Sequence, residues 1–137
     1  MPATPTLLRD ADGGTIVVQE GESCNITWTP EDLLGAAILK TNLITLTVTQ
    51  FDNETAVVIN SRNAQSVLDA NNGVVSTAGV LTLRLDGSDT ISVGTVAAGA
   101  KQIHGLEFIW TWNDGVAVRT GKSNPVGYEV QKLVAPT

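Results

Sequence analysis

The sequence has one cysteine, Cys24, and few aromatic residues, which make up 4% of its 137 positions. A lone cysteine cannot close a disulfide within the chain, so packing of the core must hold the fold together. Because free cysteines commonly behave as small apolar residues, we expect that role for Cys24 rather than that of a nucleophile or redox thiol.

Basic residues are also scarce. Eight Lys and Arg residues stand singly among 14 Asp and Glu residues, which gives a net charge of −6. Proteins that bind nucleic acid draw much of their affinity from clustered basic side chains that displace counterions from phosphates. We therefore expect neither a nucleic acid nor a membrane surface as the partner.

Long apolar runs are missing too. No stretch approaches the roughly 20 apolar residues that a membrane-spanning helix needs. The opening MPATPTLLRDADGG lacks the basic start and the apolar run of a signal peptide. The expectation is a protein made in a cytoplasm and not secreted through a signal peptide.

What the chain does contain is alternation of apolar and polar residues. Hydrophobic residues make up 42% of the sequence, and they are mainly Val, Leu, Ile and Ala interspersed with Thr, as is typical of half-buried strands. Turn signals separate the alternating segments at intervals of roughly 8–12 residues, which favours a sandwich. The prediction is all-β: an immunoglobulin-like β-sandwich of about seven to eight antiparallel strands with one short helix or helical turn. The clearest strands fall at 15–19, 23–28, 43–49, 80–85, 103–112 and 126–133.

The same patterns predict which residues face the core and where the chain turns. Alternation points Ile44, Leu46 and Val48 towards the core together. Residues 30–35 predict a helical turn or a loop, and residues 61–70 predict a short helix that ends at Asn-Asn-Gly. The sequence Asn-Asp-Gly at 113–115 indicates a hairpin turn.

The chain divides into an arm and a domain. Residues 1–14 predict a flexible N-terminal arm, since termini rich in Pro and Gly are often unstructured until something binds them. Leu7 and Leu8 are its apolar residues, which makes them candidates for docking on another protein. Residues 15–137 predict a single Ig-like sandwich domain, and the segments 61–73 and 94–99 are further candidates for contacts.

A search for catalytic chemistry gives weak candidates. His104, the one histidine, falls on an apolar strand face, and a core position satisfied by a backbone group is the preferred interpretation over a metal ligand. Residues 10–14 and 86–89 offer pairs of carboxylates that faintly resemble calcium loops, but a solvated turn is the preferred interpretation of both. We expect no enzyme, no metal and no cofactor.

The three tryptophans suggest a second class of function. Exposed aromatic rings stack on sugars, but Trp110 and Trp112 alternate in register with Leu106 and Phe108, which favours core positions. Trp112, at the end of its strand, is the candidate exposed aromatic. A carbohydrate-binding module is thus an alternative to a protein-binding domain.

The order of segments carries a resemblance. The run GVLTLRL at 79–85 precedes an Asp-Thr turn at 89–90, then HGLEFIWTWNDG at 104–115 and a final GYEV at 127–130, with NITW and ITLTVT upstream. This order resembles small Ig-like structural proteins of tailed bacteriophages, found in capsid decoration and in the upper baseplate. The resemblance covers roughly residues 15–133 and implies a virion component made in the host bacterial cytoplasm, released by lysis and present in many copies.

The resulting hypothesis is a non-enzymatic virion structural protein that decorates or stabilises a phage capsid. Its expected partners are capsid or other virion proteins, with a homo-oligomer in the assembled particle. A tail, neck or baseplate position is the alternative within the same class. An enzyme is the least favoured possibility.

Overall fold

The structure, a computed structural model, describes residues 6–8, 15–92 and 99–132. Ten strands in this part of the chain form two sheets, which confirms the predicted all-β sandwich. The strands are β1 (Thr6–Leu7), β2 (Val17–Gln19), β3 (Cys24–Trp28), β4 (Leu43–Asp52), β5 (Gln65–Ser66), β6 (Gly73–Val75), β7 (Leu81–Leu85), β8 (Lys101–Asn113), β9 (Val118–Lys122) and β10 (Val126–Gln131).

The larger sheet has the strand order β1-β10-β8-β4-β5, with β2 also paired to β10 and β9 also paired to β8. The smaller sheet has the order β3-β7-β6. This arrangement is that of an immunoglobulin-like sandwich. Over the described residues the structure has ten strands where about seven to eight antiparallel ones were predicted, and two strand pairs are not antiparallel. β1 and β2 run parallel to β10, while the other strand pairs are antiparallel.

The core lies between the two sheets and follows the predicted alternation. Leu81, Leu83 and Leu85 are fully buried on β7, as are Leu106 and Phe108 on β8. Burial of such side chains contributes about 1.5–3 kcal/mol each, so these two strands carry much of the stability. Aromatic packing joins the sheets, since the ring of Trp28 on β3 stacks on Phe108 with centroids 4.2 Å apart.

One predicted face is wrong at Ile44. The β4–β8 register shifts between Leu43 and Thr45, which marks a β-bulge or similar irregularity. Such an irregularity moves one residue out of the alternation. Leu43 and Leu46 are therefore buried, whereas Ile44 is 46% exposed.

The predicted helix over 61–70 is also wrong. That segment contains β5 and a series of non-glycine residues with positive φ, including Ser61, Ala64 and Asp69. A right-handed helix cannot pass through residues in the left-handed region. Among the described residues the helical content is instead two 3₁₀ turns, Lys40–Asn42 and Gly87–Asp89.

Residues 30–35 form a loop rather than a helical turn. An isolated bridge between Glu31 and Ala37 closes this loop. Within the described ranges, no helix is long and apolar enough to cross a membrane.

The longest strand defines two ends of the sandwich. His104, near the start of β8, pairs with Asp52 on β4, and Trp112, near the end of β8, pairs with Leu43. At about 3.3 Å per residue these two positions on β8 are about 26 Å apart. The polar groups and the exposed apolar groups described below lie at these opposite ends.

Candidate functional site

A polar cluster is buried at the His104 end of the sandwich. Its charged and polar side chains are each 0–3% exposed, although ionisable residues are almost never fully buried unless they are paired. They come from β4, the 60–62 segment, the second 3₁₀ turn, β8 and β10. We define the polar cluster as Gln50, Asp52, Arg62, Asp89, His104 and Tyr128.

An ion pair between Arg62 and Asp89 is the centre of the cluster. Arg62 donates from Nε to Asp89 Oδ1 at 3.0 Å and from Nη2 to Oδ2 at 3.2 Å. Asn60 Nδ2 donates a further hydrogen bond to Oδ1 at 2.8 Å. Burial alone would raise the pKa of Asp89, but the bonds from Arg62 and Asn60 hold it below its usual value. Asp89 is therefore an anion in the interior.

Arg62 also organises the segment that precedes β6. Its Nη1 donates to Gln65 Oε1 at 2.8 Å and to the carbonyl of Asn71 at 3.2 Å. One side chain thus ties the unusual backbone of this segment to Asp89, 27 positions away in the sequence. This segment was predicted to contact another protein. Its inward-facing groups are instead bonded to Arg62 within the domain.

The carbonyl group of Asp89 extends the cluster to β4 and β10. It accepts hydrogen bonds from Gln50 Nε2 at 2.9 Å and from the Tyr128 hydroxyl at 3.1 Å. Gln50 Nε2 also donates to the Tyr128 oxygen. Burial raises the pKa of Tyr128, so its hydroxyl keeps its proton. These contacts close one end of the core with polar groups that bond to one another.

His104 belongs to this network. Its Nε2 lies 2.8 Å from Gln102 Oε1 and its Nδ1 lies 3.3 Å from the Tyr128 oxygen. Burial lowers the pKa of His104 to about 4, against the opposing effects of Asp52 and the Asp89 backbone. The imidazole is consequently neutral at physiological pH and fully shielded from solvent. His104 is therefore a core residue, as predicted. Its hydrogen-bond partners include the side chains of Gln102 and Tyr128, whereas a backbone partner was predicted.

The structure also bears on Cys24 and on the acidic segments that resemble calcium loops. Cys24 is half-buried on β3, and burial, followed by the charges of Glu22 and Asp89, raises its pKa to about 11, which keeps the thiol protonated. The prediction of a solvated turn at 86–89 is wrong for Asp89, because Arg62 draws its carboxylate into the interior. Residues 10–14 lie outside the described part of the chain, and within that part no group of His, Cys, Asp and Glu could hold a metal ion.

An apolar groove of about 690 Å³ opens at the opposite, Trp112 end. It runs between the 31–39 loop and the β8–β9 hairpin turn. Its lining is formed by residues 32–34, 37–39, 42 and 112–115, which we define as the apolar groove. Leu33 is 77% exposed, Leu34 93% and Leu39 54%, so its rim presents large apolar side chains to solvent.

The loop that carries these leucines is held by specific hydrogen bonds. Asp32 Oδ1 accepts from the backbone N–H groups of Leu34 at 2.9 Å and of Ala36 at 3.0 Å. The Glu31 carbonyl accepts from the indole N–H of Trp110 at 3.1 Å. A carboxylate that accepts bonds from its own loop is a common turn device, and here it fixes the two exposed leucines on a defined backbone.

The facing hairpin turn is also structured. Gly115 has a φ of +94°, which the predicted Asn-Asp-Gly turn requires. Asp114 accepts bonds from the backbone N–H groups of Val116 and Ala117 and from Arg119 Nε, and these bonds lower its pKa well below its usual value. Val116, next to the groove, is 89% exposed.

Trp112 is not the exposed aromatic that its strand-end position suggested. It is 3% exposed, and it forms part of the groove wall without offering a free ring face. The inward face of β8 continues through Trp112, because β4 still pairs with it at Leu43. Trp112 and Trp110 are both core residues.

The candidate docking residues Leu7 and Leu8 lie elsewhere. Leu7 is in β1, whose partner on β10 is Gly127, and the Leu8 N–H donates to the Gly127 carbonyl at 2.8 Å. Leu8 also packs against the core. The domain's own sheet therefore uses both leucines, and residues 1–5 and 9–14 of the predicted arm lie outside the described residues, as do 94–98 of the predicted contact loop.

Compared with protein-family models and with curated proteins, the chain matches none.

Sequence reasoning missed both the exposed leucines and the buried ion pair. Leu33-Leu34 did carry a signal, since two leucines between Asp32 and Gly35 lie outside any alternating segment. Arg62 carried none, because its partner is distant in sequence and the local pattern predicted a helix.

Proposed function

We propose that this chain is a non-enzymatic virion structural protein that decorates or stabilises a phage capsid through protein–protein contacts. The capsid position comes from the resemblance to Ig-like phage structural proteins, and a tail, neck or baseplate position is the alternative. The structure supports the binding part of the proposal through one observation, the exposed leucines of the apolar groove.

Leu33 and Leu34 are more exposed than the other leucines in the described part of the chain. Burial of one such side chain in an interface yields about 1.5–3 kcal/mol, and apolar patches beside a groove commonly mark sites of association. Because hydrogen bonds to Asp32 order the loop, the leucines are presented at little further entropic cost. This rim suits a domain that acts by binding another protein.

The polar cluster supports the non-enzymatic part of the proposal. A catalytic group has to reach its substrate, but His104 and Asp89 are 0% and 1% exposed. His104 bonds to Gln102 and Tyr128, and the Asp89 carboxylate accepts from Arg62, Asn60 and the Asp86 backbone. We assign the cluster to stability rather than to turnover.

The carbohydrate-binding alternative loses its main argument. Sugar stacking needs an exposed aromatic face, and Trp112 is 3% exposed. The groove rim offers leucines instead of rings, which favours a protein surface over a glycan.

The proposal is tested by counting copies of the chain in purified phage particles with quantitative mass spectrometry. We expect hundreds of copies per particle, as a capsid decoration protein requires. Six or twelve copies would contradict the capsid position and support the tail, neck or baseplate alternative. Absence from washed particles would contradict the virion role altogether.

A further inference from the structure

We propose that the apolar groove binds an apolar segment flanked by Lys or Arg residues on a different protein chain. This inference rests on the proposed assembly function and adds the chemistry of the partner to it. It is carried by the distribution of charge around the groove and over the rest of the described surface.

Two acidic residues at the groove, Asp32 in its lining and Glu31 next to it in the chain, have no cationic partner in the described part of the chain. Glu31 and Asp32 form no ion pair within the described residues, whereas Asp114 is compensated by Arg119 at 2.7 Å. The carboxylate of Glu31 lies over the loop tip, since a Cβ on Gly35 would be 3.4 Å from Glu31 Oε2. Leucines and uncompensated negative charge therefore occupy the same rim.

The basic residues in the described part of the chain already have acidic partners. Each of the seven Lys and Arg residues in the described part lies within 4.0 Å of a carboxylate partner. A second copy would therefore have to break one of these ion pairs to offer a cation from that part to the rim. A two-fold symmetric contact between grooves would instead bring Glu31 and Asp32 of one copy against the same residues of the other, which is repulsive.

A partner on a different chain could supply both the apolar contacts and the cations that the rim lacks. Its apolar residues would cover Leu33, Leu34 and Leu39, and its basic flanks would compensate Glu31 and Asp32. Rim charges of this kind mainly steer association and set specificity, so the preference for basic flanks should weaken as salt is added.

Three synthetic peptides test this with the full-length chain. The first has a Leu-Ile-Leu-Val core with two lysines at each end, the second has the same core with glutamates, and the third has lysines around a Gly-Ser core. Titration calorimetry gives affinities, and amide NMR shifts locate the bound site. We expect the lysine-flanked apolar peptide to bind at the groove about 10-fold or more tighter than either other peptide at low salt, with the charge preference reduced by about 0.5 M NaCl.

Two variants separate the charge from the apolar contacts. E31Q/D32N keeps the shape of both side chains, and the amide oxygen introduced at position 32 can still accept the hydrogen bonds of the loop. It should therefore bring the affinities for lysine- and glutamate-flanked peptides within about 3-fold of each other. Leu34→Asp should abolish binding of both apolar peptides. E54Q is the matched control, because Glu54 is an exposed acid beside the His104 end that pairs with no Lys or Arg in the described ranges, and it should change nothing.

Other outcomes overturn the inference. Equal affinity for lysine and glutamate flanks, or no binding at the groove, would refute the basic-flanked partner. Self-association in sedimentation experiments that Leu34→Asp abolishes would show that a second copy is the occupant. None of these results depends on particle copy number, so the partner chemistry and the virion role can fail separately.

Discussion

The two ends of the sandwich invert the usual distribution of side chains. At the His104 end, an arginine, two aspartates and a histidine are buried, while at the Trp112 end Leu33 and Leu34 stand in solvent. Burying a charge without a partner costs several kcal/mol, and exposing leucines forgoes the gain from burial. Both ends depart from what stability alone would select.

The difference lies in how each end is compensated. The Arg62–Asp89 charges are compensated inside the chain, because Arg62 makes two bonds to the Asp89 carboxylate and Asn60 makes another. The exposed leucines have no compensation inside the described part of the domain, only an ordered loop that holds them. Under the proposed function, one end stabilises the fold and the other binds a partner, so substitutions at the two ends should differ in kind.

The largest effect is expected from Arg62→Met. The substitution leaves the Asp89 carboxylate buried without its cation, and removing one partner of a buried pair typically costs about 3–5 kcal/mol. The 60–72 segment also loses the bonds from Arg62 to Gln65 and Asn71. Urea denaturation followed by tryptophan fluorescence measures the loss in free energy of unfolding.

Lys122→Met is the matched control for that substitution. Lys122 pairs with Glu107 at 3.3 Å, but its side chain is 64% exposed. Exposed pairs contribute roughly 0–1 kcal/mol, so little stability should be lost. Equal losses in the two variants would show that the polar cluster does not hold the fold.

Mild acid should weaken the same end. Burial lowers the pKa of His104 from 6.5 to about 4, so below pH 6.5 the unfolded chain takes up a proton that the folded chain does not. Stability from this group is fully present above pH 6.5 and falls until about pH 4, by at most about 3 kcal/mol. Urea midpoints between about pH 7 and about pH 4.5 measure it.

His104→Asn isolates this contribution. The groups that face His104 are Gln102 on β8, Asp52 on β4, the Asp89 backbone and Tyr128 on β10. The pKa of Asp89 is lowered from 3.8, so its own loss of stability begins nearer pH 4. The variant should be less stable at neutral pH and nearly independent of pH down to about 4.5. Parallel curves for variant and native chain would assign the acid sensitivity to other groups.

The sequence predicted those parts of the fold that depend on alternation. Leu81, Leu83 and Leu85 face inwards as predicted, and the inward face of β8 runs from His104 to Trp112. A period of two in hydrophobicity appears in consecutive residues, so it can be recognised within a single segment of the chain. The exposure of Ile44 could not be seen in this way, because the irregularity arises from the pairing of β4 with β8.

The polar cluster could not be predicted, because its geometry depends on distant partners. The 61–70 segment has local helix propensity, but the contacts of Arg62 with Asp89 and Asn71 accompany left-handed residues such as Ser61 and Ala64. Tertiary contacts override such propensities routinely. The groove was partly visible, as two leucines in a turn-flanked loop, but exposure depends on what the rest of the chain leaves uncovered.

The smallest effect on stability is expected at the groove. Leu34→Asp removes a side chain that is 93% exposed and should change the free energy of unfolding by less than about 0.5 kcal/mol. Leu83→Ala, at a fully buried position, should cost about 2–5 kcal/mol in the same urea assay. The expected difference in free energy of unfolding between Leu34→Asp and Leu83→Ala is the most direct test of the contrast between an exposed and a buried leucine.

A substantial loss in Leu34→Asp, above about 1 kcal/mol, would mean that the loop folds onto the groove in solution and buries its own leucine. The domain would then have no apolar rim to offer, and the binding role of that end would fail with it. An unchanged stability combined with lost peptide binding has the opposite meaning. The leucine then contributes to association and not to folding, which is the condition for a surface maintained for a partner.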